Sequence, residues 1–444
     1  MKRYSDYQSS KIDWIGEIPS SWIVIPFKRL TQVKRGASPR PIDDQKYFDE
    51  NGEFGWVRIA DVTASERYLQ TTTQKLSELG ASLSVKRYPG DLFLSIAGTV
   101  GKPIISKIKC CIHDGFVWFP DLKIDPEFLY YIFSAGLAYQ GLGKMGTQLN
   151  LNTETVGYIN LPLPSRAEIC HIVKYLDEAT EKIDDLISQK QKLIDLLKEE
   201  NLAIINQAVT KGIDSSVEMK DSGIEWLGKI PNHWELRKLK YVAIINPTKS
   251  QSKIDKHINS LITFLPMENV SEDGNINCEI KKSLMELSKG FTYFEKNDVI
   301  LAKITPCFEN GKGALLDDLD TGIGFGSTEF HVIRVKENIL IKEFLYFITK
   351  TNIFMNMGEA LMIGSAGQKR VPTSFLENYL IPFPQNKDEQ QAIIKYINFE
   401  SKNIQTTISK IQKEIDLLQE YRTVLISEVV TGKIDVRDEV ASWT

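Results

Sequence analysis

The chain has 444 residues, which is enough for about three average domains. Its 42% hydrophobic and 25% charged residues are typical of a globular protein, and no apolar run approaches the roughly 18 residues that a membrane span requires. Five cysteines argue against a disulfide framework and favour a reducing cytoplasm, and five scattered histidines show no zinc-site spacing. The net charge of −4 argues against binding to nucleic acid through an overall positive charge. Contacts with nucleic acid would therefore need local patches of basic residues.

Sequence motifs from the first half of the chain recur in the second half, displaced by 212 to 221 residues. The recurring segments are 14–22 and 226–234, 161–164 and 381–384, 173–176 and 394–397, and 210–214 and 431–435. This period is far too long for a solenoid and indicates a tandem duplication of a whole module. We therefore expect two homologous halves with internal two-fold pseudosymmetry.

Each half opens with short apolar or alternating segments between Gly, Pro and Asn. Segments 91–97 and 298–304 are typical of strands. Short helices are predicted over 126–137 and 341–356, where aromatic and aliphatic residues cluster. These signals predict two mixed α+β domains, over residues 1–164 and 212–384.

A long helix is predicted after each domain, over residues 165–211 and 385–435, which leaves 436–444 as a C-terminal tail. Both segments lack proline, and their apolar residues recur every seven positions, although Lys190 interrupts the first series. The seam residues are Leu176, Ile183, Leu197, Ile204, Ile397, Ile404, Ile411 and Leu418. Such a heptad predicts a coiled coil between the two helices; the alternative is that each helix packs against its own domain.

The length of these helices suggests a spacer. A helix of about 38 residues would be roughly 57 Å long at 1.5 Å per residue. One turn of DNA is about 34–36 Å, so a rigid pair of such helices would suit two half-sites separated by a turn or more.

Motifs for catalysis are missing from the sequence. Residues 98–102 lack the spacing and the Ser or Thr of a Walker loop, and the glycines of 322–326 lack a strand–turn–helix setting. There is no Gly-x-Ser-x-Gly elbow, no His-Glu-x-x-His motif and no carboxylate pattern typical of nucleases. We therefore predict no catalytic residue and no metal ligand.

Basic residues gather in corresponding places of the two halves. Residues 28–40 contain five basic side chains and no acid, and residues 237–256 contain six basic side chains and one acid. A local patch can bind phosphates even on an acidic chain, although a solvated loop is the alternative. The candidate DNA contacts in these patches are Lys34, Arg35, Arg40, Lys249 and Lys253.

Two further pairs of loops carry candidate DNA contacts. Glycine-rich turns present Lys102 and Lys312, although a tight hairpin explains the glycines equally well. Loops 146–150 and 366–370 contain Gln148, Gln368, Lys369 and Arg370. Glutamine can bond adenine and arginine can bond guanine, while a structural role at the end of each domain is the alternative.

Some conspicuous residues are better explained by packing than by binding. The tryptophans at 14, 22, 226 and 234 could stack on bases, but Trp-x₇-Trp with intervening Ile and Pro favours a core motif. We interpret His113 and His331 as ordinary histidines with satisfied hydrogen bonds.

The second half contains segments of recognisable pattern at 222–234 (SGIEWLGKIPNHW), 302–312 (AKITPCFENGK), 326–330 (GSTEF) and 430–435 (VTGKID). Together with the two long helices, they resemble the specificity (HsdS) subunit of Type I restriction–modification systems over nearly the whole chain. Residues 95–102 of the first half are also similar. The Ser-Thr-Glu pattern, however, is replaced there near residues 113–115, as expected if the two domains recognise different sequences.

The resemblance implies that each domain is a target recognition domain for one half of a bipartite, asymmetric site in double-stranded DNA. It implies that the helices form an antiparallel spacer that docks two modification subunits. Those subunits would carry S-adenosylmethionine and methylate adenine, while separate restriction and motor subunits would use ATP and Mg²⁺. The chain itself would hold no cofactor and would not be an enzyme. The alternatives are a divergent DNA methyltransferase or nuclease with its own catalytic site, and a non-specific coiled-coil DNA scaffold.

Overall fold

The computed structural model describes residues 2–140, 142, 151–249, 261–287, 290–365 and 367–439. The chain divides into two compact units. The first unit comprises Met1–Lys190 and Lys413–Thr444, and the second comprises Gln191–Gln412. Each unit thus contains one β-rich domain and parts of both long helices. The predicted domain limits, which place the helices outside the domains, stay a prediction.

The described part of the first unit has thirteen strands and four short α-helices before its first long helix. The strands are β1 (Tyr7–Ser9), β2 (Glu17–Pro19), β3 (Ile23–Pro26), β4 (Lys34–Arg35), β5 (Phe54–Val57), β6 (Tyr68–Leu69), β7 (Gln74–Leu76), β8 (Val85–Arg87), β9 (Leu92–Ser95), β10 (Pro103–Ser106), β11 (Cys110–Ile112), β12 (Phe116–Trp118) and β13 (Asn160–Leu163). The helices are α1 (Ile59–Ala64), α2 (Glu78–Ser82), α3 (Pro126–Ser134), α4 (Thr153–Gly157) and the long α5 (Arg166–Lys211).

The described residues of the second unit include twelve strands and five short α-helices before the second long helix. The strands are β14 (Met219–Asp221), β15 (Lys229–Pro231), β16 (Glu235–Lys238), β17 (Ala243–Ile245), β18 (Leu261–Leu265), β19 (Lys281–Ser283), β20 (Thr292–Glu295), β21 (Val299–Ala302), β22 (Gly313–Leu315), β23 (Ile323–Gly326), β24 (Phe330–Val335) and β25 (Leu380–Phe383). The helices are α6 (Leu239–Val242), α7 (Leu284–Leu287), α8 (Lys342–Thr349), α9 (Asn352–Ala360), α10 (Thr373–Asn378) and the long α11 (Lys387–Val430).

The sheets of the two units have the same topology. One sheet has the order β7-β5-β11-β8 in the first unit and β19-β18-β23-β20 in the second, with a parallel central pair in both. The other has the order β4-β12-β9-β10, extended by β6, in the first unit and β17-β24-β21-β22 in the second. The prediction of two homologous α+β domains is confirmed.

The predicted short helices are observed with differences in extent. The helix predicted over 126–137 is α3, which ends at Ser134, and the strand segments 91–97 and 298–304 contain β9 and β21. The single helix predicted over 341–356 is wrong in extent, because two helices, α8 and α9, occupy this region. The Thr351 hydroxyl accepts a hydrogen bond from the Phe354 amide (3.3 Å) and so begins a new helix.

Helices α5 and α11 have 46 and 44 residues. None of the described helices is apolar over a stretch long enough to cross a membrane. Four of the predicted seam residues are buried and four are half-buried. The buried ones are Leu176, Ile183, Ile397 and Ile411, and the half-buried ones are Leu197, Ile204, Ile404 and Leu418. The heptad therefore identifies the faces of the helices that are shielded from solvent.

Contacts within the first unit show that the two helices run antiparallel there. In the first unit, Lys190 Nζ lies 2.5 Å from Glu414 Oε2, and Arg422 Nη2 donates to Asp184 Oδ2 (3.2 Å). As the residue number falls along α5, the number of the partner on α11 rises, which is the antiparallel order. Lys190, which interrupts the heptad, thus forms an ion pair with the opposite helix. These contacts support the predicted coiled-coil pairing.

In the first unit, the Trp22 indole connects the β-rich domain to both long helices. Trp22 is fully buried, and its Nε1 donates to Glu168 Oε1 in the first turn of α5 (3.1 Å). Gly432, just beyond the end of α11, has φ +72°, and a Cβ there would lie 2.5 Å from Pro19 Cδ and 3.0 Å from Trp22 Cζ3. One domain therefore holds the beginning of one long helix and the end of the other.

The second unit has the equivalent arrangement around Trp234. This residue is 1% exposed, and its Nε1 donates to Glu389 Oε1 in the first turn of α11 (2.8 Å). Gly212, beyond the end of α5, has φ +79° and would place a Cβ 3.4 Å from Trp234 Cζ2. The interpretation of Trp22 and Trp234 as core residues, rather than base-stacking residues, agrees with this burial.

Gly432→Ala is expected to destabilise the first unit by roughly 2–4 kcal/mol, because an alanine is strained at positive φ and its methyl group would collide with Pro19. The matched control is Gly90→Ala in the same unit. Gly90 also has positive φ (+94°), but no atom lies within 4 Å of its added Cβ. The control should cost only the backbone strain, about 1–2 kcal/mol. Urea unfolding of the full chain measures both, and equal losses would contradict the close packing at Gly432.

Candidate nucleic-acid interface

The described residues include nine of the eleven predicted DNA contacts. Gln148 and Lys253 lie outside the described residues. The first unit contains Lys34, Arg35, Arg40 and Lys102, and the second contains Lys249, Lys312, Gln368, Lys369 and Arg370. Each unit is considered separately below.

In the first unit, the basic patch meets the loop at Asp114. Arg35 Nε donates to the Asp114 backbone carbonyl (2.5 Å), and Arg40 Nη2 lies 3.2 Å from Asp114 Oδ2. Partial burial raises the pKa of the Asp114 carboxyl. The hydrogen bond from Ser38 and the charges of Arg40 and Arg35 outweigh this effect, so the pKa lies below its usual value. The carboxylate is therefore ionised, and Asp114 contacts two arginines of the patch, Arg40 through its carboxylate and Arg35 through its backbone carbonyl.

The ammonium of Lys34 is exposed on strand β4, at the edge of the five-stranded sheet. Its Nζ lies 5.7 Å from the centre of the Trp118 ring, which belongs to the neighbouring strand β12. A lysine on an exposed sheet edge can reach a phosphate without breaking a buried contact. The geometry at Lys34 therefore suits the predicted role.

Lys102 has a structural contact that the sequence did not suggest. Its Nζ donates to the backbone carbonyls of Thr63 (3.1 Å) and Ser65 (2.5 Å), at the end of helix α1. A cation at this position satisfies terminal carbonyls and opposes the negative end of the helix. Burial also lowers the pKa of Lys102. The geometry thus favours the structural alternative over the predicted phosphate contact, which stays a prediction.

In the second unit, two distant segments come together beside strand β21. The Val371 amide donates to the Lys303 carbonyl (2.8 Å), and the Thr305 amide donates to the Lys369 carbonyl (3.0 Å). This pairing joins the segment that carries Lys303 to the segment that carries Lys369 and Arg370. Of these, Lys303 was not among the predicted contacts, since a single lysine after a strand carries no distinctive pattern.

Arg370 forms a forked ion pair with Glu329. Its Nε donates to Glu329 Oε2 (2.9 Å) and its Nη2 donates to Glu329 Oε1 (2.8 Å), while Nη1 donates to the Gln368 carbonyl (3.3 Å). The hydrogen bond from Arg370 lowers the pKa of Glu329 below its usual value. Glu329 was noted in the sequence only as part of the Ser-Thr-Glu pattern and had no assigned role.

A cleft of about 540 Å³ lies on the second unit and includes Lys303 in its lining. Lys249, Asn246, Phe330 and His331 also line it. His331 Nε2 lies 2.8 Å from the Val371 carbonyl, which can only accept, so Nε2 carries the proton. Its Nδ1 then accepts from the Asn246 amide (3.3 Å), and burial lowers the pKa of His331. This agrees with the interpretation of His331 as an ordinary histidine with satisfied hydrogen bonds.

Lys312 lies in the turn between β21 and β22. Its backbone closes this hairpin, because its amide donates to the Cys307 carbonyl (3.0 Å) and its carbonyl accepts from the Ala302 amide (2.9 Å). The side chain is half-buried. The hairpin alternative accounts for the glycines on either side, and the predicted DNA contact stays a prediction.

The comparisons with known proteins place the chain in a family. Residues 19–196 and 231–417 match the Type I restriction modification DNA specificity domain. The chain is 42% identical over 170 residues to the specificity subunit of the Type I restriction enzyme EcoAI of Escherichia coli, and 42% identical over 167 residues to that of EcoEI, also of Escherichia coli. These matches cover 38% and 37% of this chain, but only 28% and 27% of those relatives.

A solved structure supports the fold. A chain from a structure of a type I restriction–modification system superposes with a TM-score of 0.65, covering 94% of this chain and 99% of that one, at 12% sequence identity. At this identity the likeness establishes the fold alone. Because the two matched regions together span most of the sequence, the chain belongs to the family of the Type I restriction modification DNA specificity domain.

Proposed function

We propose that this chain is the DNA-recognition subunit of a Type I restriction–modification complex and that each unit recognises one half of a bipartite target. The observation that carries the proposal is the duplicated topology combined with different surface chemistry. The first unit has an arginine cluster around Asp114, whereas the second has a forked arginine at Glu329 beside Lys303. Two similar domains with different polar surfaces suit the recognition of two different half-sites.

The proposed mechanism separates positioning from recognition. Exposed lysines such as Lys34 and Lys369 contact phosphates and orient each unit on the duplex, which gives affinity without sequence information. Side chains that can make two hydrogen bonds at once, such as the Gln368 amide with its donor and acceptor and the Arg370 guanidinium with its donors, contact base edges in the major groove. The chain contributes no bond-breaking chemistry. Partner modification subunits, which bind S-adenosylmethionine, methylate adenine, and motor subunits dependent on ATP and Mg²⁺ cleave the DNA.

Exchange of residues 20–160 for the corresponding segment of another specificity subunit should change only one half of the recognised sequence, because each unit carries its own polar surface. The hybrid is expressed with modification subunits, and methylated adenines in the host DNA are mapped by sequencing. Exchange of 232–380 is the matched control and should change the other half. A change of both halves in either hybrid contradicts the proposal. Methylation by the chain without any partner would instead support a divergent methyltransferase.

Lys34→Ala should weaken binding to all duplexes by a similar factor and reduce the slope of log K against log salt by about one, as expected for one lost phosphate contact. Binding of the assembled complex to target and scrambled duplexes at several salt concentrations measures this. An unchanged slope would mean that residues 28–40 form a solvated loop. Equal affinity of the unaltered complex for both duplexes would favour a non-specific scaffold.

Lys102→Ala provides the contrasting case. Its ammonium is engaged by the Thr63 and Ser65 carbonyls, so we expect a stability loss of about 1 kcal/mol and little change in the salt slope. Thermal unfolding measures the first effect and the same binding series measures the second. A reduced slope with unchanged stability would restore Lys102 to the DNA contacts.

A further inference from the structure

The ion pair of Glu329 and Arg370 fixes both the position and the rotation of the guanidinium plane. Two parallel hydrogen bonds of 2.9 and 2.8 Å join the Nε edge of Arg370 to the two carboxylate oxygens of Glu329. A single contact would leave the plane free to rotate, whereas a fork does not. The side chain of Arg370 remains 43% exposed, so the held guanidinium still faces solvent.

The backbone on both sides of this pair is also held. The Arg370 amide donates to the Ile363 carbonyl (2.9 Å), and the Ile363 amide donates to the Arg370 carbonyl (3.0 Å). The Glu329 carbonyl accepts a hydrogen bond from the Lys303 amide (2.8 Å), and the Glu329 amide donates to Ser327 Oγ (3.2 Å). The two side chains are therefore presented from restrained backbone, which reduces the entropy lost when a ligand binds.

A count of donors shows what the fork leaves available. A guanidinium has five N–H groups. Nε and one hydrogen of Nη2 are used by Glu329, and one hydrogen of Nη1 points to the Gln368 carbonyl (3.3 Å). One hydrogen remains on each terminal nitrogen. Two donors on adjacent terminal nitrogens can bond the two acceptors O6 and N7 on the major-groove edge of guanine.

We infer that Arg370 recognises one guanine in the half-site of the second unit and that Glu329 is the positioning residue that orients it. This inference rests on the proposed function and adds the identity of one base and the role of Glu329. Adenine presents one acceptor and one donor on the same edge, so it cannot accept both remaining hydrogens. Arg370, oriented by Glu329, thus discriminates guanine from adenine.

Lysines on the neighbouring segments can contact the DNA backbone beside the ion pair of Arg370 and Glu329. Lys303 and Lys369 lie on the two paired segments, and the charge of Lys303 acts on Glu329, where it lowers the pKa of the carboxyl. The ionised Glu329 opposes the approach of a phosphate to the same spot, because like charges repel. The arginine is therefore suited to a base edge, and the lysines beside it to the backbone.

The first unit has a weaker version of this arrangement. Arg40 makes one contact of 3.2 Å with Asp114 and is 73% exposed, compared with 43% for Arg370. A single contact leaves the guanidinium of Arg40 free to rotate. The inference is therefore restricted to the second unit.

The test compares Arg370→Ala, Arg370→Lys and Glu329→Gln in the full chain assembled with its modification subunits. Each complex selects from a library of duplexes with randomised half-site positions, and the bound DNA is sequenced. The unaltered complex should select a bipartite motif with guanine at one position of the second unit's half-site. Arg370→Ala should reduce the preference for that guanine roughly 5- to 150-fold and leave the other positions unchanged.

The two conservative variants separate recognition from charge. Arg370→Lys retains the positive charge but loses the paired donors, so the guanine preference should fall while the salt slope is kept. Glu329→Gln retains an acceptor but loses its charge, and it should lower the same preference by a smaller factor without weakening overall binding. Lys296→Ala is the control. Lys296 precedes β21, whereas Lys303 follows it, so the two lysines lie beyond opposite ends of the strand. The complex with Lys296→Ala should select the same motif as the unaltered complex.

Three results would overturn the inference. The first is a second half-site without guanine, and the second is an equal loss of affinity for all duplexes in Arg370→Ala, which indicates a phosphate contact. The third is an unchanged motif in Arg370→Ala. Failure of the proposed function is distinguishable, because the unaltered complex would then select no bipartite motif at all.

Discussion

The structure depends on how two buried tryptophans hold the ends of the long helices. The indole N–H of Trp22 donates to Glu168 at the start of α5, and that of Trp234 donates to Glu389 at the start of α11. A buried indole N–H needs an acceptor, and the first turn of a helix favours a carboxylate, so one contact satisfies both requirements. Each helix then ends at a glycine beside the tryptophan of the other domain. The same packing motif thus forces the helices to run antiparallel within each unit.

Periodicity and repetition were sufficient to predict the architecture, because they depend on spacing along the chain. The heptad positions Ile183 and Ile411 are buried, and the repeated Trp-x₇-Trp segments place Trp22 and Trp234 in equivalent cores. The partner of each indole could not be predicted, since Trp22 and Glu168 are 146 residues apart. The break between α8 and α9 was not predicted. Its signal in the sequence is Thr351, which caps the start of α9, but the apolar residues on both sides of Thr351 resemble one continuous helix.

The candidate interface was less predictable than the fold, for a physical reason. Sequence patterns locate charges, but they do not show which charges are already used within the chain. Lys102 lies in a glycine-rich turn that suits a phosphate, yet its ammonium serves the end of helix α1. Arg370 was predicted as a base contact, whereas its carboxylate partner lies 41 residues away and carried no separate signal. The local electrostatic potential depends on which charged groups are paired within the chain. The net charge of −4 does not describe this local potential.

The discontinuous first unit has a consequence for the order in which the protein forms during synthesis. Residues 191–412 are continuous in sequence, so the second unit is complete once they have left the ribosome. The core of the first unit also requires Leu425, Val429 and Ile434, which are translated after the second unit. Domains usually fold from the N-terminus as they emerge, but here the unit that begins first is completed second. Until then, the apolar face of α5 near Leu176 lacks its partner helix, and such transiently exposed apolar surface favours aggregation.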